Sequence, residues 1–158
     1  MTLGKKFEDI IRKQFSKIPN VYCLRLYDTT NGFKNISNPC DIIVYSDTLY
    51  MLELKTIQGN TFNFHNIRDN QLQGMLDAKN RVPNIVAGFI IWFYDKDITV
   101  FAPIKYIYTL ICNDIKSIRY DDSHVYKIDG AKKKTYFDYN IKDFLQGVIC
   151  YDREEEWQ

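Results

Sequence analysis

Apolar positions at helical spacing open the chain. Leu3, Phe7, Ile10, Ile11 and Phe15 recur with a period near 3.6, Thr2 stands where an N-cap belongs, and Pro19 lies just beyond. The pattern predicts an amphipathic helix over residues 2–16. Residues 21–27 then alternate and are rich in β-formers, which predicts a strand, and residues 28–39 (DTTNGFKNISNP) are turn formers, which predicts a loop. Two apolar runs follow, 40–45 and 48–55, joined across Ser46-Asp47, and they read as a tight hairpin. Residues 59–67 predict a short extended piece leading into a helix over about 68–79, with Leu72, Met75 and Leu76 as its apolar face. Residues 84–94 (NIVAGFIIWFY) are apolar on both faces, as a central strand covered by helices should be.

A further strand is predicted at 98–101. Pro103 then opens a helix to about residue 112, striped by Ile104, Ile107, Tyr108 and Ile111. Residues 128–135 predict a turn and loop. Phe137, Tyr139, Ile141, Phe144 and Leu145 predict a closing helix. Helices interleaved with strands in this order predict an α/β (α+β) domain with a mixed central sheet flanked by helices.

Composition changes this picture little. At 158 residues, with 46% hydrophobic and 15% aromatic content, the chain is expected to form one domain over 1–150 with a real core. The net charge of +1 conceals an asymmetry, because residues 152–156 (DREEE) carry a net −3 and leave +4 in the rest. Residues 151–158 are accordingly read as a solvated acidic tail. No apolar run approaches transmembrane length, and the N-terminus passes straight into Lys5, Lys6 and Glu8 with no signal peptide. Cys23, Cys40, Cys112 and Cys150 are scattered without a C-x-x-C pair, which fits reduced thiols in a cytoplasm better than zinc or disulfides. His65 and His124 sit in no paired metal motif. No Gly-rich phosphate loop is present, so no nucleotide cofactor is expected.

The candidate chemistry lies in the hairpin. Asp41 stands at the mouth of its first strand, and Glu53 and Lys55 lie two apart near the end of the second, so both project to one face. The fold-back brings Asp41 towards them. Two carboxylates meeting at one point need a cation, and hard oxygen ligands suit Mg²⁺ or Mn²⁺. An adjacent lysine can orient a water or stabilise charge on a phosphate. The bland alternative is an edge strand ending in solvated charges. Glu8, beside the first helix's apolar stripe, can either reach over the sheet towards this site or pair with Arg12 at i+4. Gln71, in the first turn of its helix, can serve phosphate or water, or simply lie at the surface. Lys5 and Lys6, the loop residues Phe33 and Lys34, and the run Lys132, Lys133 and Lys134 are candidate DNA contacts that read equally as solvated charges and a tucked aromatic.

The D…E-x-K arrangement resembles the PD-(D/E)-x-K nucleases, with Pro39 two places before Asp41. Over residues 4–145 the chain looks like the RecU family of Holliday junction resolvases within that superfamily. Gly4, Phe7, Glu8 and Ile11 resemble the family's opening helix, and Asp41 with Glu53-Leu54-Lys55 its catalytic hairpin. Phe62-Asn63-Phe64, Ile67 and Gln71 resemble its extended piece and Gln-bearing helix. Gly88-Phe89-Ile90-Ile91 and Phe101-Ala102-Pro103-Ile104 resemble its central strands, and Asp138-Tyr139 its closing segment. The resemblance implies a restriction-endonuclease-like fold and a homodimer making paired nicks in four-way DNA junctions. It implies Mg²⁺ on Asp41 and Glu53, with Mn²⁺ able to substitute. Lys55 would act on the water or the phosphate, Glu8 would assist through water or as a further ligand, and Gln71 would sit behind the ligands or touch DNA. It also implies a bacterial or phage origin. The family carries a longer stalk before the catalytic aspartate than 28–39, which points to a compact, phage-type variant. Competing readings are a restriction- or repair-type nuclease of the same superfamily and a non-catalytic DNA-binding protein of the same fold.

Overall fold

The computed structural model describes residues 1–27, 29–31 and 34–152, with backbone alone for 29–31 and 34–36. Helix α1 (Leu3–Ser16) begins where Thr2 accepts a hydrogen bond from Lys5 N at 3.3 Å. It buries Phe7, Ile11 and Phe15. Strand β1 (Tyr22–Arg25) follows, then a small antiparallel pair, β2 (Thr29–Asn31) and β3 (Lys34–Ile36). A loop was expected over 28–39. The two threonines before Asn31-Gly32 carry a hairpin signal that the turn formers around them obscure.

Strands β4 (Ile42–Tyr45) and β5 (Leu49–Ile57) form the predicted hairpin, with three connecting residues rather than two, since Tyr45 pairs with Leu49. Strand β6 (Thr61–Asn63) and a 3-10 turn (Phe64–Asn66) lead into α2 (Asp69–Arg81). Strands β7 (Val86–Phe93) and β8 (Ile98–Pro103) then run into α3 (Ile104–Cys112). Pro103 is that helix's N-cap, one place ahead of expectation, where its missing N–H is equally harmless.

Three short strands escaped the sequence reading because each is too brief to show alternation. They are β9 (Ser117–Arg119), β10 (Tyr126–Lys127) and β11 (Gly130–Lys132). A fourth strand, β12 (Phe137–Tyr139), takes residues expected in the closing helix. The cause is Gln14, buried on α1. Its amide donates to Phe137 O at 2.6 Å and its carbonyl accepts from Tyr139 N at 2.8 Å, which holds the segment extended. Helix α4 (Ile141–Tyr151) starts only at Asn140, whose side chain accepts from Asp143 N.

The main sheet has the order β1-β4-β5-β7-β8-β10. Neighbours are antiparallel except β5 and β7, which run parallel with α2 as their crossover. The sheet is therefore mixed, and helices cover both faces. One core joins α1 and α4 to Leu52, Leu54, Ile90 and Phe101. The other joins α2 and α3 to Met51, Phe89, Ile91 and Phe93. Each such large side chain contributes roughly 1.5–3 kcal/mol on burial. At Gly88, on β7, a Cβ would stand 2.3 Å from Ala102 O, so only glycine lets β8 lie that close.

Helix α4 runs to Tyr151, and Asp152 is buried against Lys79 of α2 rather than solvated. The remainder of the expected acidic tail, 153–158, lies outside the described residues. Among the described residues no helix is long and apolar enough to cross a membrane.

Candidate metal and catalytic site

The hairpin register sets the site. Ile42 pairs with Leu52, so the next step along the ladder brings Asp41 opposite Glu53. Asp41 is fixed on both sides. Its carbonyl accepts from Leu26 N at 2.8 Å and its N–H donates to Leu52 O at 3.1 Å. Its carboxylate accepts from Leu54 N at 2.8 Å. On β5, Tyr50, Leu52 and Leu54 turn to the α1 and α4 core, which leaves Glu53 and Lys55 on the opposite face, beneath α2.

Glu53 is 3% exposed and Gln71, in the first turn of α2, is 0% exposed. The Gln71 amide is used at both ends. Its Nε2 donates to Glu53 Oε2, while its Oε1 accepts from Arg68 N at 3.2 Å and from Lys55 Nζ at 3.5 Å. Lys55 Nζ lies 3.1 Å from Glu53 Oε2 and also donates to Asn66 O at 3.3 Å. Gln71 is thus neither a surface residue nor directed at solvent. It holds Glu53 and Lys55 in one arrangement, and its burial follows from α2 docking over β5.

Helix α2 is seated by a close approach that the sequence pattern does not reveal. A Cβ on Gly74 would stand 2.5 Å from Pro39 Cβ, and Asn70 Nδ2 donates to Asn38 O at 2.9 Å. Pro39 therefore acts at a distance from the acids, pressing the segment before Asp41 against the helix that carries Gln71.

A polar cleft of about 230 Å³ opens beside the acids. Glu8, Arg25, Asp41, Glu53 and Arg68 line it, while Lys55 and Gln71 meet Glu53 from the α2 side. Glu8 does reach over the sheet end, but its partner is Arg25, at 2.5 Å, and Arg12 pairs instead with Asp9. Arg25 also lies 3.7 Å from Asp9 and over the Tyr27 ring at 4.7 Å. Arg25 and Arg68 were not singled out in the sequence. The available signal for Arg25 was an arginine at the end of an otherwise apolar alternating strand.

Charge is crowded here. Burial, the neighbouring Asp41 and a hydrogen bond between the two carboxyl groups push Glu53 up to about 8, against the pull of Lys55. Glu8 is also raised, by burial and then by Asp41, despite Arg25. Burial likewise pushes the Cys40 thiol up to about 12, so Cys40 is an inert core residue beside the site. Two carboxylates in mutual contact, balanced by one lysine, form a donor set that fits a small hard cation. Among the described residues no group of three or more His, Cys, Asp or Glu is gathered to hold a metal. The protein would supply two oxygens, and water or phosphate the rest, which Mg²⁺ accepts readily.

The candidate DNA contacts lie apart from this cleft. Lys5 is exposed on α1. Lys6, Lys132, Lys133 and Lys134 gather at a second depression, on the opposite side of α1, where Lys132 pairs with Asp97. Phe33 and the Lys34 side chain fall outside the described residues.

No family model and no curated protein matches the chain. Among solved structures the chain is similar to Hjc of Archaeoglobus fulgidus, a Holliday junction resolvase from an archaeal hyperthermophile, solved at 1.6 Å. The two are 14% identical, the match covers 65% of this chain and 78% of that one, and the TM-score is 0.49.

Proposed function

We propose that the chain is a metal-dependent endodeoxyribonuclease that hydrolyses phosphodiesters in branched DNA, four-way junctions above all. One observation carries the reading: Asp41 and Glu53 share a buried corner with a single lysine, facing a polar cleft. The topology supports it. A helix, an antiparallel meander, a crossover helix and a strand parallel to the meander's last make the order of the restriction-endonuclease-like fold.

Asp41 and Glu53 would hold Mg²⁺, or Mn²⁺ in its place. A divalent ion there supplies an acidified water and neutralises phosphate charge. Glu53, whose carboxyl burial and Asp41 raise, would have to hold the ion in its ionised form. Lys55 lies 3.1 Å from Glu53, where its amine would orient the water or the scissile phosphate. Gln71 is a positioning residue that fixes Glu53 and Lys55 together. Glu8, held by Arg25 at the edge of the same cleft, would assist through water or as a further ligand. A homodimer accounts for paired nicks, and a bacterial or phage-infected cytoplasm is the setting.

The test compares wild type with Glu53→Gln on labelled four-way junction, linear duplex and single strand, each with Mg²⁺. Symmetric nicks confined to the junction and absent from the variant are the expected result. Cleavage of every substrate alike would keep the nuclease and remove the junction preference. Wild-type rates in the variant would sink the site assignment.

A further inference from the structure

The α1 side of the sheet carries a second feature that the cleft does not use. A depression of about 300 Å³ between α1 and the β11–β12 segment continues into another of about 410 Å³ along the same helix. The two share Lys6, Ile10, Thr135 and Tyr136, so they form one groove. From Leu3 to Lys17 it follows α1 for about 20 Å.

Its walls are cationic. Lys6, Lys13 and Lys17 stand seven and four residues apart, on one face of α1. Lys132, Lys133 and Lys134 stand opposite. The acids that face the groove are already neutralised, Asp97 by Lys132 and Asp9 by Arg12 and Arg25. Lys6, Lys13, Lys17, Lys133 and Lys134 make no ion pair among the described residues, so the positive charge is surplus.

The floor is aromatic. Trp92 and Phe137 are half-buried, and Tyr136 is 44% exposed. A groove of lysines alone would read as a solvated surface. Lysines beside an exposed tyrosine and half-buried aromatics are what a chain of phosphates and unstacked bases requires. Duplex DNA hides its base faces and would leave the floor unused, and the carboxylates of an acidic peptide would meet the lysines without requiring a ring beneath them.

We propose that this groove binds single-stranded DNA, with phosphates on the lysines and bases against Tyr136, Trp92 and Phe137. The proposal rests on the nucleic-acid reading of the chain and adds a strand-selective site to it. An unpaired arm or tail of the substrate would lie there, on the opposite side of α1 from Glu8.

Trp92 supplies the probe. In a Trp157→Phe protein it is the sole tryptophan, so its emission reports on the groove alone. With EDTA present to prevent cleavage, a short oligothymidylate should quench that emission. Affinity should fall roughly tenfold or more in Lys6→Ala/Lys133→Ala/Lys134→Ala, and also in Tyr136→Ala, with unchanged circular dichroism. Undiminished affinity in the triple variant overturns the proposal, as does equal competition by blunt duplex or polyglutamate. The two readings fail separately. A chain that cleaves no DNA but shows lysine-dependent quenching keeps the groove and loses the nuclease, whereas one that cleaves DNA with no quenching keeps the nuclease and loses the groove.

Discussion

Two buried lysine–carboxylate pairs lie on the α2 side of this molecule, and they differ in what surrounds them. Lys79 meets Asp152 at 2.8 Å, with the two side chains 5% and 1% exposed. The lysine also donates to Pro83 O and Ile85 O. Asp152 is the acid that Lys79 meets, Lys105 lies near that acid as well, and backbone carbonyls take two of the amine's protons. Lys55 meets Glu53 at 3.1 Å, but Asp41 adds a second carboxylate and a polar cavity adjoins them. Burial of an ion pair therefore does not mark a functional site, since a closed pair can serve stability alone. Two acids crowded at an opening do.

The contrast is sharpest on the acid side. Glu53→Gln is expected to cut the Mg²⁺-dependent cleavage rate by on the order of 10³, with the urea midpoint unchanged or raised, because a buried and crowded charge is removed. Asp152→Asn is expected to spare the chemistry. Asn resembles the protonated acid that burial favours, so the urea midpoint should change little, while cleavage per folded molecule stays at the wild-type rate. If both variants lose activity and stability together, the distinction between the pairs collapses.

Gln71→Ala separates positioning from ligation. Single-turnover cleavage should drop about 10–100-fold, with the midpoint of Mg²⁺ titration moving upward, because Glu53 loses the donor that orients it. Gln71→Glu should be worse than alanine, since it brings another acid to the corner.

The smallest effect separates the pairs by pH. Both acids hold their protons more tightly when folded, Asp152 rising from 3.8 to about 6 and Glu53 from 4.5 to about 8. The folded state then binds more protons than the unfolded one between those limits, so stability falls as pH rises. In EDTA, unfolding free energy should decline from about pH 4 upward, and above pH 6 the remaining slope belongs to Glu53. Glu53→Gln should flatten the curve between pH 6 and 8, and saturating Mg²⁺ should do the same in wild type. A slope unchanged by either would remove Glu53 as its source.

The sequence carried the parts of this arrangement that depend on short range. Alternation in β4 and β5 located Asp41, Glu53 and Lys55 on one hairpin, and the doubly apolar run of β7 marked the centre of the sheet. Gln71 could be named but not placed, because its burial depends on α2 docking through Gly74 and Pro39. The role of Gln14 in holding β12 extended joins residues more than 120 apart, and no local pattern announces it. Asp152 read as part of an acidic tail for the same reason. Arg25 was missed because a charged residue closing a strand is ordinary until Glu8 is brought across from α1.

The parallel pairing of β5 with β7 also orders events as the chain folds. Asp41 and Glu53 belong to one hairpin, which closes locally within microseconds. Gln71 arrives only when the crossover is complete and β7 has zipped along β5, a slower and less local step. Until then Glu53 stands in water, with no burial to raise it. A chain halted before β7 carries every residue of the site and none of its electrostatics.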